Sequence, residues 1–420
     1  MAKMSEVGPD VLCEPRCGFG DAIRTAPTQD VQADLRVQSV RRSPPSSTRH
    51  LGERSLLTVT EYYPEALSGE FGTASAVRGW SQALAAAGAD VKLVVDRHLM
   101  RLSPPEGVEC FPLPHVCRGR LRLPSKLELV TSGTDVVVLH GGWVLDNLIV
   151  ADHARRQGVP YMITAHGVYH PRVLGRRKVA LKRAWNALLE RRHLSSALAV
   201  HCFFSEERDY LTRLGVNVAV VVAPHGFSAP AETAWKGCGK GDLVWLGRFD
   251  PECKGLDLLL EAMQLLPARE RPRLALHGPD WHGQKALVAR LNAEMGLEQW
   301  VTLGEPVYGT QKRRLLESAA GFVYPSRWEA FGLSVVEAVS LGIPTLVTPY
   351  PLGRFLASRG GALLVEPTAP ALADGLRRLR APQAIETGKK GAEIVREMLS
   401  WDVVARSWLE QVETQLQAGG

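Results

Sequence analysis

Three observations predict an α/β fold of two doubly wound parallel sheets. Strand-like apolar runs alternate with helix-like periodic segments from about Ser55 onward. A second series of the same kind begins near Leu243. Between them, Ser228 to Gly241 is rich in Ala, Pro, Gly and Lys and reads as an interdomain linker.

Taken in order, residues 1–52 show little apolar periodicity and include the basic, Pro- and Ser-rich run from Arg41 to Ser47, so a flexible extension is expected and no function is assigned to it. Then come a strand from Leu56 to Thr60, a helix from Thr73 to Ala87 ended by Gly88, and strands Val91 to Val95, Val136 to Leu139 and Tyr161 to Thr164. The second series comprises a strand from Asp242 to Gly247, a helix from Leu256 to Leu266, and strands Arg273 to His277, Val301 to Leu303, Gly321 to Tyr324 and Thr345 to Val347. Leu333 to Ser340 and Trp401 to Leu416 have helical periodicity.

Composition narrows the class. The chain has 420 residues, 45% hydrophobic and 22% charged, enough to bury two sizeable cores. No apolar run reaches the roughly 18 residues that span a bilayer, and no secretory signal is read near the start. The seven cysteines are scattered without Cys-x-x-Cys pairs, which suits reduced thiols in a cytosolic compartment. The Gly-x-Gly-x-x-Gly dinucleotide fingerprint and the Walker glycine-lysine loop are both absent, which counts against a dehydrogenase or an ATPase.

The residues that carry chemistry fall into two groups. In the run Glu329 to Glu337, the first carboxylate sits at a strand-to-helix turn and the second on the helix that follows. Eight residues correspond to an offset of about 80° on a helix, so both face one ligand only if Glu329 lies in the turn. The amides of Phe331, Gly332 and Leu333 open that helix, where the positive end of its dipole favours a phosphate or an oxyanion, and Gly332 permits close approach. Upstream, Arg248 follows a strand and Lys254 precedes Gly255, two cations at a glycine-flanked bend that suits a diphosphate.

With its flanking text Phe322 to Arg327 and Ala338 to Pro344, this pair of groups resembles the family-4 retaining glycosyltransferases of the GT-B fold, over about residues 55 to 416. The resemblance implies two Rossmann-like domains facing across a cleft, with a C-terminal helix crossing back to the first. On that plan 53–228 is the acceptor-side domain, 229–400 the nucleotide-sugar domain and 401–420 the crossover helix and tail. The implied reaction moves a hexose from a nucleotide diphosphate sugar to an acceptor hydroxyl with retention. Arg248 and Lys254 would stabilise the departing diphosphate, Glu329 would hold donor-sugar hydroxyls, and Glu337 the ribose. His166, after the strand Tyr161 to Thr164, resembles the family's histidine beside the transferred sugar. Gly69 and Gly72 resemble its glycine-rich loop, without the adjacent Gly-Gly pair; a plain loop is the alternative. His140 and Trp143 are further substrate-binding candidates, the indole serving either as a platform for a sugar face or as core. His225 stands where relatives usually have Asn, which leaves its role open.

No Asp-x-Asp pair is present to clamp a metal diphosphate, so neither a metal nor a cofactor beyond the nucleotide sugar is expected. The stretch 172–192 gathers Arg172, Arg176, Arg177, Lys178, Lys182, Arg183, Arg191 and Arg192 among apolar residues, with Glu190 its one acid. That pattern suits either an anionic membrane surface or a solvated face. Nucleic acid is not expected, because base-stacking aromatics and a recognition module are missing. The expected setting is therefore the cytoplasm, with peripheral contact to the membrane on the first reading. The expected acceptor is a lipid-linked or growing glycan in polysaccharide or glycolipid biosynthesis. A soluble sugar or sugar phosphate acceptor, and a non-catalytic nucleotide-sugar-binding partner, are the alternatives.

Overall fold

The computed structural model describes residues 56–69, 72–116, 123–175, 179–230, 235 and 241–419. The extension expected over 1–52, Glu70 and Phe71, Arg176 to Lys178, and most of the linker lie outside the described residues.

Among the described residues two sheets form, and every pairing in them is parallel. The first contains β1 (Thr58–Tyr62), β2 (Asp90–Asp96), β3 (Glu109–Leu113), β4 (Val136–His140), β5 (Tyr161–Thr164), β6 (Ala199–Cys202) and β7 (Val220–Val222), in the order 3-2-1-4-5-6-7. The second contains β8 (Leu243–Leu246), β9 (Leu274–His277), β10 (Val301–Gly304), β11 (Gly321–Tyr324), β12 (Thr345–Val347) and β13 (Leu363–Leu364), in the order 10-9-8-11-12-13. Helices cover both faces of such sheets, so the central strands read as continuous apolar runs; Val136 to Leu139 are all buried. The first strand lies two residues later than its apolar run suggested. Leu56 is exposed, and the Thr58 amide donates to Asp135 at 2.9 Å, which sets where pairing begins.

In each sheet the strand order reverses once, between β1 and β4 and between β8 and β11. Ligands of open parallel sheets bind beyond the strand ends at such points. His140 ends β4, Arg248 follows β8 and Glu329 follows β11, so these predicted residues lie at those points.

The Trp401–Gly419 helix packs on the first domain, as the resemblance implied. Val404, Ala405, Trp408 and Val412 join the core cluster that holds Trp80 and Leu84. Gln411 also acts as an extra rung on the edge strand: its Oε1 accepts from the Val222 amide at 3.0 Å and its Nε2 donates to the Val222 carbonyl at 2.9 Å. An unpaired strand edge is thereby covered. Trp401 lies so close to Gly79 and Gly226 that a Cβ on either would meet its ring at 2.4 or 2.2 Å.

Candidate active site

The second domain supplies a buried charge pair. Asp250 caps a single-turn helix, Pro251–Lys254, which Gly255 ends with φ +66. Lys254 thus ends its own short helix, whereas the sequence reading placed it at the start of a helix from Leu256 to Leu266; the left-handed glycine separates the two. Gly255 also lets the backbones meet, since a Cβ there would lie 2.1 Å from the Pro325 carbonyl oxygen. Arg327 completes the junction. It forms a two-pronged pair with Asp257, both bonds 2.7 Å, and its amide donates to the Cys253 carbonyl at 2.9 Å. The turns after β8 and β11 are thereby joined.

That junction brings together residues 75 apart in sequence: Lys254 Nζ donates to Glu329 Oε1. The same oxygen accepts from the Tyr324 hydroxyl at 3.0 Å and the Ser326 hydroxyl at 2.9 Å, while Oε2 has no partner among the described residues. Burial works to lower the pKa of Lys254, but the Glu329 carboxylate outweighs it and holds the ammonium above its ordinary range. Burial, then the Glu329 charge, push the Tyr324 phenol up to about 12. The site therefore carries a firmly protonated lysine beside a carboxylate with one oxygen to offer.

Glu337, on the Leu333–Ser340 helix, is half-buried and accepts from Lys312 at 2.6 Å. Gly332 caps that helix with φ +100, and no partner is found among the described residues for the amides of Phe331, Gly332 and Leu333. The Phe331 side chain turns inward onto Phe203, Phe204 and His225, so it is packing that crosses between the domains. Arg248 is exposed, its guanidinium 4.1 Å from the Trp281 ring centroid.

The first domain contributes imidazoles. His140 ends β4, and its ring lies between two partners: Nε2 meets Glu61 of β1, and Nδ1 lies 2.9 Å from His166 Nε2. His166 and Gly167 form a turn after β5 with φ +51 and +77. Burial first, then the neighbouring His140, His225 and His201, hold the His166 pKa well below its ordinary value, so this ring works as a neutral imidazole. A Cβ on Gly167 would lie 2.5 Å from the Ala330 Cβ, which places the His166 turn directly against the residue after Glu329. His170 stacks on Trp328 beside it, with centroids 5.2 Å apart. The two halves predicted from sequence therefore meet at one place.

Other predicted residues stand apart. Trp143, at φ +64, packs edge-on to Tyr169 at 5.6 Å and adds to the core beneath, so the core alternative describes its contacts. Its amide donates to Glu190, which also accepts from the Tyr169 hydroxyl at 2.6 Å and the Trp185 indole at 2.7 Å. Glu190, the one acid of that basic stretch, is therefore an internal anchor. The Gly69 carbonyl accepts from Arg78 at 3.0 Å, and Gly72 opens the first helix with free space around it. His225 is buried between Phe331 and Trp401, which holds its pKa down at about 4.

Sequence reasoning missed Glu61, Tyr324, Ser326, Arg327, Asp257, Lys312 and Trp281. One signal was available: Glu61 is an acid inside the central strand Thr58–Tyr62, and a charge there is rarely tolerated without a partner.

Residues 71–226 match the family described as glycosyl transferase 4-like domain, and residues 240–381 match glycosyl transferases group 1. The GDP-mannose:cellobiosyl-diphosphopolyprenol alpha-mannosyltransferase of Xanthomonas campestris is 30% identical over 278 residues, covering 61% of this chain and 67% of that protein. The D-inositol 3-phosphate glycosyltransferase of Jonesia denitrificans is 29% identical over 220 residues, 49% of this chain and 51% of that protein. Among solved structures, the sucrose-phosphate synthase of Thermosynechococcus elongatus superposes with a TM-score of 0.66 at 22% identity, over 87% of this chain and all of that one. Two family matches that tile both domains, a relative aligned over two thirds of its length, and the paired sheets together place this chain among the family-4, group 1 glycosyltransferases of the GT-B fold.

Proposed function

We propose that this glycosyltransferase moves mannose from GDP-mannose, with retention, to a hydroxyl of a diphosphopolyprenol-linked glycan. The observation that carries the transfer step is the charge constellation at the second reversal point: Lys254 is bonded to Glu329, whose second oxygen has no partner among the described residues, against the His166 turn. Lys254, Arg248 and the open amides at Gly332 meet the charge that develops on the leaving diphosphate, without a metal. Glu329 accepts from donor-sugar hydroxyls, and Glu337 with Lys312 holds the ribose side of the nucleotide. Oxygens fixed in advance cost little reorganisation as charge builds. The sugar and carrier follow the activity of the Xanthomonas relative.

A lipid-linked acceptor is supported by the surface of the first domain. Leu181, Leu188 and Leu189 are exposed among Arg183, Arg191 and Arg192, and Leu189 also borders a groove of about 360 Å³ lined by Leu127, Leu145, Leu148 and Ile149 together with Asp152, His153 and Arg156. No helix of the described residues is long and apolar enough to cross a membrane. On this reading the protein acts on the cytoplasmic side, as a peripheral visitor to anionic lipid.

The test is calorimetric binding and slow donor hydrolysis across UDP, GDP and ADP sugars without metal, on the wild type and Glu329→Ala, followed by assay with a diphosphopolyprenol-linked glycan. Selective GDP-mannose binding, with hydrolysis lost in the variant, is expected. Preference for another donor removes the mannose assignment. Turnover on D-inositol 3-phosphate alone moves the acceptor to the soluble class named by the Jonesia relative. Flotation with vesicles should need anionic lipid; no binding at low salt removes the membrane reading.

A further inference from the structure

Glu61, His140 and His166 form a chain of bonds from the floor of the first sheet to the cleft. Glu61 pairs with Val138 across the β1–β4 boundary, and His140 lies two residues further along β4, so both side chains leave the same face of the sheet. Glu61 is 1% exposed and His140 3% exposed, whereas His166 is half-buried at the mouth. The Asn147 amide donates to the His140 carbonyl at 3.0 Å, and Tyr63 sits edge-on to the His140 ring. The middle ring is therefore held on every side.

We propose that Glu61 is a positioning residue which, acting through His140, decides the nitrogen of His166 that carries the ring proton, so that an unprotonated Nδ1 faces the substrates.

A carboxylate accepts and does not donate, so His140 must present N–H from Nε2 to Glu61. In a neutral imidazole the other nitrogen is then an acceptor. With His140 neutral, its Nδ1 receives the bond from His166, which then carries its proton on Nε2. His166 Nδ1 is left as a bare lone pair, with no partner among the described residues. A lone pair there accepts from a sugar or acceptor hydroxyl; the opposite tautomer would donate instead. The choice is thus made two residues away from the reacting atoms, by a group that touches no substrate. The left-handed turn at His166 and Gly167, closed by Ala330, keeps the ring from swinging off the chain.

Glu61→Gln tests this, because the amide keeps the shape yet can offer His140 either oxygen or NH2, so both tautomers become populated. The assignment of His166 beside the transferred sugar rests on the proposed function, and the first readout is chosen to be independent of it. Ring ¹⁵N spectra of histidine-labelled wild type, with His166 identified through His166→Asn, should show Nε2 protonated and Nδ1 bare. In Glu61→Gln the His166 signals should move toward the mixed tautomer. The variant's kcat should fall about ten- to hundred-fold with donor KM unchanged, and in a His166→Ala background Glu61→Gln should cost nothing more. A wild-type His166 protonated at Nδ1, or losses that simply add in the double variant, overturns the proposal. The wild-type spectrum decides the matter even if the variant fails to fold or the donor proves to be a different one.

Discussion

Lys254 and Glu329 are bonded to each other inside the cleft, with the Tyr324 and Ser326 hydroxyls on the same carboxylate oxygen. The two charges are therefore a structural pair as well as ligand-binding groups. Their side chains are only 8% and 11% exposed, so solvent compensates neither if the other is removed.

Lys254→Ala should accordingly lower stability as well as turnover. Breaking a buried pair from one side costs about 3–5 kcal/mol, and loss of charge at the leaving group about a hundred-fold or more in kcat. Lys254→Met with Glu329→Gln should recover most of the stability and none of the activity. Urea midpoints and single-turnover rates check this; a single variant as stable as wild type contradicts the pairing.

Glu337→Ala should separate binding from folding. Its bond to Lys312 is partly open to water, at 24% and 30% side-chain exposure, so the stability change should stay below about 1 kcal/mol. Nucleotide affinity should fall about ten-fold or more as a charge-assisted acceptor for the ribose is lost. Calorimetric titration with the nucleotide diphosphate reads it, and an unchanged Kd would contradict the ribose role.

Gly167→Ala and Gly158→Ala make a matched pair. Both glycines have φ near +70, at +77 and +70, but only Gly167 has a neighbour within reach of a Cβ. Gly158→Ala should cost about 1 kcal/mol and leave turnover alone. Gly167→Ala should push the His166 turn away from Ala330 and lower kcat about ten-fold or more, since small misplacements of reacting groups are costly. Equal turnover in the two variants would show that this contact is dispensable.

Acid should unfold the protein. Burial holds His193 and His225 at about 4 and His201 at about 3, against an ordinary value of 6.5. The unfolded chain takes up these protons first, so the stability is full above pH 6.5 and is lost as pH falls through 4 and then 3, at roughly 3 kcal/mol each for His193 and His225 and roughly 5 for His201. Glu207 opposes this. Burial raises its carboxyl from 4.5 to about 7, so its contribution is full below pH 4.5 and lost as pH rises to 7. Three histidines outweigh one glutamate. Urea midpoints should drop between pH 7.5 and 4.5, and Glu207→Gln should gain stability relative to wild type at pH 8; a flat profile would contradict both.

Much of the architecture was legible because a parallel sheet covered on both faces writes its strands as short apolar runs. Gly321–Tyr324, Thr345–Val347 and Tyr161–Thr164 came out with the same bounds in sequence and structure. The turns that hold Arg248, Glu329 and His166 were legible because turns that follow strands announce themselves with glycine and charge, whereas Glu337 was found by its spacing from Glu329 along the helix that follows. Trp143 and Glu190 were not, because an indole or a carboxylate reads the same in sequence whether it faces a ligand, the core or water.

By itself the sequence determined the two doubly wound sheets, a C-terminal helix and the turns that carry charge, since each depends on periodicity or spacing within a short stretch of chain; that the helix crosses back to the first domain came from the family resemblance and from its packing on Trp80 and Leu84. Only the tertiary structure decided the partners: Lys254 with Glu329 and Arg327 with Asp257, 75 and 70 residues apart, and Glu61 with His140, 79 apart. Such pairs depend on which strand ends lie side by side where the sheet order reverses, and that adjacency follows from packing both sheets, not from any local run of residues.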